Sequence, residues 1–473
     1  MKRIAIIGGG ISGLSAAFQL EKARAAGAEL KYTLYESGQR LGGSIYSDRV
    51  EGCLVEAGPD SFLTEKPWAA ALCNELGIAD QLIGSNDAQR KTYIVVKGRL
   101  VVMPDGLMFM VPTKILPTAL SPLFSWGTKL SMVRELLHPP RPAYDDETVG
   151  ELVERHFGAE VVDRLADPLL SGVYGGDAAR LSARAVLPRF VEMEQRYGSL
   201  TRAMLAARKK QAAASTAHPP RPLFTSLKDG MQQIVDALTA RLDHGAVRLR
   251  HSIRGVYPER GYWRVACDLG GQNHYDAVIV ATPGNVAGAL LEAVDADLSH
   301  DLGGIAYSSS VTVTLGYHRD QLRHLPEGFG FLVPRSEGTR MLACTFVHNK
   351  FPHRAPENKG TLRCFLGGAR DEGVLSLTDD EVLDTARREL IDIIKLEARP
   401  LFARVYRWRG AMAQYEPGHI SRVERIEKRI EEIPGLALAG NAYHGIGVPD
   451  CIRSGMDAAN AVVEAQESQT TQR

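Results

Sequence analysis

The chain opens with "RIAIIGGGISGLSAAFQLEKA", and this stretch constrains the fold more than any other. Ile4 to Ile7 form a short apolar run of the kind buried in a parallel sheet. Gly8-x-Gly10-x-x-Gly13 follows at once, and the pattern predicts a helix from about Ser12 to Arg24. "LKYTLYE" then reads as a second strand ending in Glu36, 23 residues past Gly13. In such a strand–turn–helix unit each glycine has its own task. The first permits a tight turn, the second lets backbone approach a pyrophosphate, and the third lets the helix pack close to the strand. The helix N-terminus offers unpaired N–H groups to phosphate. Glu36 is spaced to accept hydrogen bonds from an adenosine ribose, and it would repel a 2′-phosphate. The unit reads as a dinucleotide site; the alternative is a glycine-rich turn of purely structural use.

The next segments separate a flavin from a nicotinamide. "ESGQRLGGSIYS" places Arg40-x-Gly42-Gly43 just after the acidic strand, where a nicotinamide dehydrogenase needs no second glycine pair. A chain that threads FAD into its interior does need one, because pyrophosphate and ribityl pass this loop. "EAGPDSF", Glu56 to Phe62, adds another small-residue loop. Either loop alone is compatible with an ordinary turn, but in this order they point to FAD.

At 473 residues the chain has room for two or three domains. Its formal net charge of +0 provides no field to recruit nucleic acid. Cys53, Cys73, Cys267, Cys344, Cys364 and Cys451 are scattered, with no metal-type spacing or disulfide framework, so a reducing compartment is expected. Neither a signal peptide nor a transmembrane helix is expected: glycines interrupt the N-terminal apolar run, and no stretch of about 18 apolar residues occurs.

In the middle, "KTYIVVKGRLVVMP" reads as a hairpin turning at Lys97-Gly98. Leu107 to Leu137 is apolar but broken by Pro112, Pro117 and Pro122. It predicts short helices that cover a pocket, touch a membrane face or simply pack in a core. Thr148-x-x-Glu151 predicts a capping box opening "VGELVERHFG". Lys209 to Pro222, rich in Ala, Ser and Pro, reads as an exposed mobile loop. "YDAVIVATP" reads as a buried strand returning to the first domain.

Near the end, "GLALAGNAYHGIGVPDCIRSGMDAANAV" reads as a buried strand, a glycine loop and a helix starting at Asp450. The positive helix end would face a ring held by the loop. Aimed at N1 and the C2 carbonyl of a flavin, it favours the reduced form by up to about 2 kcal/mol. Residues 440 to 450, with Gly440 and Asn441 at their start, would then share one FAD with the N-terminal turn.

These stretches, with "RLGG", "EAGPDSF", "LLSGVYGGDAARLSARAVLPRF", "SLKDGMQQI" and "LAGNAYHGIGVPDCIRSG", resemble the protoporphyrinogen oxidase family. They resemble more closely its soluble, oxygen-dependent, flavin-containing bacterial type, some members of which prefer coproporphyrinogen III. The resemblance spans nearly the whole chain. It implies FAD contacts at Gly8, Gly9, Gly10, Ile11, Ser12, Gly13, Glu36, Ser37, Ser44, Gly58, Pro59, Asp60, Ser61, Val256, Trp408, Ile446, Gly447 and Val448. Arg40, Gly42 and Gly43 join them from the second loop. A substrate cavity is implied at Lys91, Gly172, Phe329, Phe331, Leu332, Phe365 and Met412, with the Gly172 carbonyl toward pyrrole N–H groups and Lys91 toward a propionate. The Phe329/Phe331 pair, at period two, also fits an ordinary strand face.

The implied reaction is oxidation of a porphyrinogen in three two-electron hydride transfers, with oxygen reoxidising the flavin to give hydrogen peroxide. No residue stands out as a catalytic acid or base, and no metal site is expected. His444 reads as a backbone-shaping or solvated histidine, and Cys451 as a buried thiol without a covalent flavin. An amine oxidase, a carotenoid desaturase or a non-catalytic FAD-binding protein are the alternatives.

The implied fold is α/β. A Rossmann-like FAD-binding domain is assembled from segments 1–85, 216–290 and 411–473. Substrate-side strands and a mostly helical insertion occupy 86–215, and an α+β substrate domain 291–410. The expected partners are a tetrapyrrole and molecular oxygen, in a cytoplasmic monomer or homodimer. Peripheral contact with the inner face of the membrane is a further expectation.

Overall fold

Five parallel strands carry the N-terminal turn, in the order Val247–Leu249, Leu30–Glu36, Lys2–Ile7, Ala277–Val280 and Leu436–Leu438. Ile4 pairs with Ala277 and with Tyr32, while Val278 pairs with Leu436. Ala277–Val280 is buried throughout, as a strand covered on both faces must be. Segments far apart in the chain thus meet because each is a short apolar run with no solvated face. The computed structural model describes residues 1–104, 107–108, 111–112, 115–142, 145–214, 221–268 and 272–464.

A second, seven-stranded sheet runs Phe402–Gln414, Ala306–His318, Lys359–Gly367, Met341–Phe346, Gly330–Leu332, Thr92–Val96 and Arg99–Val102. The last two form the expected hairpin, with Lys97 and Gly98 both at positive φ (51° and 71°). The helix Asp379–Ile394 packs on one face, over Val311, Val313, Phe331, Leu362 and Cys364. Leu332, Ala343, Phe365 and Thr312 pair across successive strands, so alternation puts them all on the other face. From that face Thr312 Oγ1 donates to the Ala57 carbonyl at 2.9 Å.

Helices Trp126–Glu135, Val149–Phe157, Asp167–Tyr174, Pro188–Tyr197 and Leu200–Ala214 surround a third core of Leu152, Phe157, Leu165, Leu181 and Phe190. The capping box of Thr148 and Glu151 is present. No helix among the described residues is long and apolar enough to cross a membrane.

Three expectations need correction. Lys209 to Ala214 belong to the helix Leu200–Ala214 rather than to a loop, because alanine and lysine are strong helix formers. Residues 215–220 of that expected loop lie outside the described residues. A boundary at 410 would cut the strand Phe402–Gln414, which runs on through Met412 in the second sheet. The last helix starts at Val448 rather than Asp450, since proline is well tolerated in a first helical turn.

Candidate active site

The N-terminal turn divides its glycines as the spacing requires. A β-carbon on Gly8 would lie 2.6 Å from the Ala281 carbonyl oxygen, and one on Gly13 would overlap the Gly8 carbonyl oxygen. These two glycines are needed for packing. A β-carbon on Gly10 would meet nothing within 4 Å, so this position opens into free space. It is a cradle that a side chain would fill, and it fits a pyrophosphate resting on backbone. Ile11 begins the helix behind it, with Ser12 and Gly13 buried. Glu36 accepts from the N–H of Gly9 (2.7 Å) and of Gly38 (2.6 Å), which fixes its carboxylate beside the turn. Ser37 is exposed next to it.

The second glycine loop docks directly on the first. Gly42 N–H donates to the Gly9 carbonyl at 2.8 Å, and a β-carbon on Gly43 would come 3.1 Å from the Gly10 Cα. Arg40 donates to the carbonyls of Leu41, Ile45 and Gly43 and stacks on Tyr46 at 4.9 Å, so its guanidinium holds the loop's shape. Ser44 is exposed, and its carbonyl is where a β-carbon on Gly58 would collide. Pro59 and Ser61 are half-buried.

Asp60 ties this third loop to the second sheet. Its carboxylate accepts from Lys350 Nζ at 3.0 and 3.2 Å and from Ser61 Oγ at 2.7 Å. Burial opposes its charge, but Lys350, Arg363 and Arg354 outweigh that and hold it well below the usual carboxylate range. The Ala57 carbonyl accepts from Thr312 Oγ1 (2.9 Å), Trp408 Nε1 (2.9 Å) and Arg363 (3.3 Å). Val256 is fully buried beside Tyr35 and Tyr275, so the structure opens neither its side chain nor its backbone to a ligand.

At the other end of the chain, Gly440 N–H donates to Ser454 Oγ, and Asn441 Nδ2 to the Ala411 carbonyl at 2.9 Å. Ile446 and Gly447 are half-buried and Val448 is buried. Asp450, 4% exposed, accepts from Gly447 N–H at 3.2 Å and from Lys66 Nζ at 2.5 Å. Lys66 offsets that carboxylate, leaving the helix end its positive dipole. Cys451 is buried and its thiol is pushed up to about 12 by that burial, a poor nucleophile for covalent attachment. His444 is exposed and meets Glu427 at 2.5 Å, as a solvated histidine does.

Of the cavity candidates, Leu332, Phe365 and Met412 are half-buried. Gly172 lies in the last turn of the helix Asp167–Tyr174, where a β-carbon would be 3.7 Å from Leu332 Cδ2. Its carbonyl accepts no hydrogen bond among the described residues. Phe331 is not brought to this group. It is 1% exposed and packs on Phe346 in the layer facing Asp379–Ile394, the ordinary strand-face position. Phe329 is buried, its N–H on the Lys91 carbonyl at 2.8 Å. Lys91 is half exposed and pairs with Glu327 at 3.6 Å in solvent, so an incoming carboxylate would have to displace that partner. Sequence reasoning missed Lys66, Lys350 and Arg363, which carry no local motif. It also passed over Tyr174, although "SGVYGG" had been singled out.

Residues 11–463 match the family of flavin containing amine oxidoreductases. The chain belongs to this family. FAD is therefore its cofactor, and the chain is an FAD-dependent oxidoreductase. It is 33% identical over 461 residues to the coproporphyrinogen III oxidase of Bacillus subtilis (strain 168), covering 97% of each chain. It is 31% identical over 469 residues to that of Staphylococcus aureus (strain NCTC 8325 / PS 47), covering 98% of this chain and 99% of the relative. A crystal structure from Exiguobacterium sp. 255-15, of a protein assigned as a protoporphyrinogen oxidase, superposes with a TM-score of 0.88 at 30% identity, covering 98% and 99%.

Proposed function

We propose that this flavoprotein oxidises a porphyrinogen to the porphyrin in heme biosynthesis, with oxygen as the terminal acceptor and hydrogen peroxide as the by-product. Coproporphyrinogen III is the first substrate to test, because the two bacterial relatives carry that name over their full length. What supports this in the chain itself is the half-burial of Leu332, Phe365 and Met412, with a β-carbon on Gly172 only 3.7 Å from Leu332 Cδ2. An apolar wall suits a macrocycle, and a lone acceptor suits its pyrrole N–H groups.

FAD, when bound, supplies the two-electron oxidations. The chain's own residues bind and orient. Gly10 and the N-terminal N–H groups of Ile11–Ala25 receive the pyrophosphate, Glu36 the ribose, and the loops at 42–44, 58–61 and 440–448 the rest. Ala57, held by Thr312, Trp408 and Arg363, fixes the third loop against the sheet that bears the substrate wall. Gly172 and the wall set the plane of the substrate. Purified holoenzyme should turn porphyrinogen into fluorescent porphyrin and leave polyamines and phytoene untouched. Oxidation of an amine instead would sink this reading.

We also propose peripheral attachment to the inner face of the cytoplasmic membrane. Trp126, Leu130, Val133 and Leu137 lie along one line of the helix Trp126–Glu135 and its exit, and are 52–82% exposed. Lys129 sits 4.6 Å over the Trp126 ring, so a cation accompanies the apolar stripe as at a lipid interface. Anionic vesicles should pull the protein down, and Trp126→Glu with Leu137→Glu should release it.

A further inference from the structure

The helix Asp167–Tyr174 ends at a place where three parts of the site converge, and its last side chain has been given no role. Tyr174 is half-buried. Its ring meets Tyr415 edge-on, with centroids 6.4 Å apart. Tyr415 in turn braces the C-terminal loop: its hydroxyl donates to the Asn441 carbonyl at 2.7 Å and accepts from Gly445 N–H at 2.8 Å. The Tyr174 backbone is fixed as well, its carbonyl accepting from Gln414 Nε2 at 2.8 Å. One residue on, a β-carbon at Gly175 would stand 3.1 Å from Met412 Sδ. Yet the Tyr174 hydroxyl has no hydrogen-bond partner among the described residues and is not sealed from solvent-sized molecules. A rigidly held phenol with an unused hydroxyl thus stands beside Tyr415, one residue before the glycine that Met412 approaches.

Its surroundings decide what it would bind. Gly172 presents a free carbonyl at the negative end of the same helix. Burial and then the Asp450 carboxylate push the phenol up to about 12, so it stays neutral at working pH. Such surroundings repel a propionate and favour a group that donates an N–H.

We propose that Tyr174 contacts the substrate directly, its phenol oxygen accepting a hydrogen bond from a pyrrole N–H beside the one that Gly172 accepts. This rests on the porphyrinogen reading above and deepens it: two acceptors on one helix end orient the macrocycle through its nitrogen core. The carboxylates are then left to other parts of the site.

The test uses holoenzyme, with coproporphyrin III and its zinc complex as ligands. The two have the same size and carboxylates, but the zinc complex has no N–H. Binding is followed by the change in flavin absorbance. Tyr174→Phe should keep full flavin content and weaken free-base porphyrin by about 3- to 10-fold, the range of one neutral hydrogen bond. The zinc complex should bind wild type and variant alike, and kcat/KM for porphyrinogen should fall by a similar factor, mainly through KM. A variant equal to wild type for both ligands would mean the ring only packs, and equal weakening of both would point to a carboxylate contact. Loss of flavin in Tyr174→Phe would place the phenol's role with the cofactor. Each of these overturns the proposal. A wild-type protein that neither oxidises porphyrinogen nor responds to porphyrin would instead overturn the reading on which it rests.

Discussion

Gly455 in the last helix lies flat against Ser12 in the first: a β-carbon at 455 would overlap the Ser12 carbonyl oxygen. The first and last helices are thus locked together by one missing side chain. Gly455→Val should force them apart. Overpacking of this kind costs about 1–3 kcal/mol, so thermal denaturation should show a lower Tm, and flavin should dissociate on gel filtration. An unchanged Tm with full flavin content would disprove the close contact.

Gly10 and Gly13 should behave oppositely although both belong to one motif. The Gly10 position opens into free space, whereas a side chain at Gly13 collides with backbone. Gly10→Val should therefore yield folded, colourless protein with a near-normal circular dichroism spectrum. Gly13→Val should lose the fold itself. Measuring flavin content and Tm on both variants checks the distinction.

The Lys66–Asp450 pair joins the segment before the helix Trp68–Glu75 to the last helix. Lys66 is 38% exposed at its side chain and Asp450 only 4%. Removing the lysine leaves a buried carboxylate without its partner, so Lys66→Met should lower stability by about 1–3 kcal/mol. The double variant Lys66→Met/Asp450→Asn should recover most of that loss. Urea denaturation of the four proteins in the cycle measures the coupling.

His156 gives the helical insertion a pH dependence. Its ring is buried between Glu135 (3.0 Å) and Glu194 (3.1 Å), while Arg155 also contacts Glu194 and His138 lies 5.0 Å away. Glu135 accepts as well from Ser199 Oγ and the N–H groups of Leu200 and Thr201. Burial pulls the imidazole down, but the two carboxylates outweigh it and raise its pKa above the ordinary value. A raised folded value means that the stabilisation is complete below about pH 6.5 and is lost as pH rises through the folded value. Tm should accordingly fall on the alkaline side in wild type, and His156→Gln should flatten that limb. A wild-type limb identical to the variant's would refute the assignment.

Much of the first sheet was legible because its signals are local. Four apolar residues, three glycines and Glu36 define one unit, and "AVIV" at 277–280 is apolar without a break. Phe331 was misplaced because a period-two pattern shows that two residues share a face but not which face. The sheet's register with Ala343 and Phe365 decides that, and register is a tertiary property. Lys66, Lys350 and Arg363 were invisible for a related reason. A buried cation is recognised by its partner, and Asp450, Asp60 and the Ala57 carbonyl lie hundreds of residues away along the chain.

The most direct measurement of the central claim is an anaerobic titration of the yellow holoenzyme with coproporphyrinogen III. The flavin absorbance should bleach as substrate is added, porphyrin should form at about one per three flavins bleached because each flavin accepts two of the six electrons, and admitting air should restore the yellow colour with release of hydrogen peroxide. A flavin that stays oxidised with excess porphyrinogen, yet bleaches with an amine, would contradict the account.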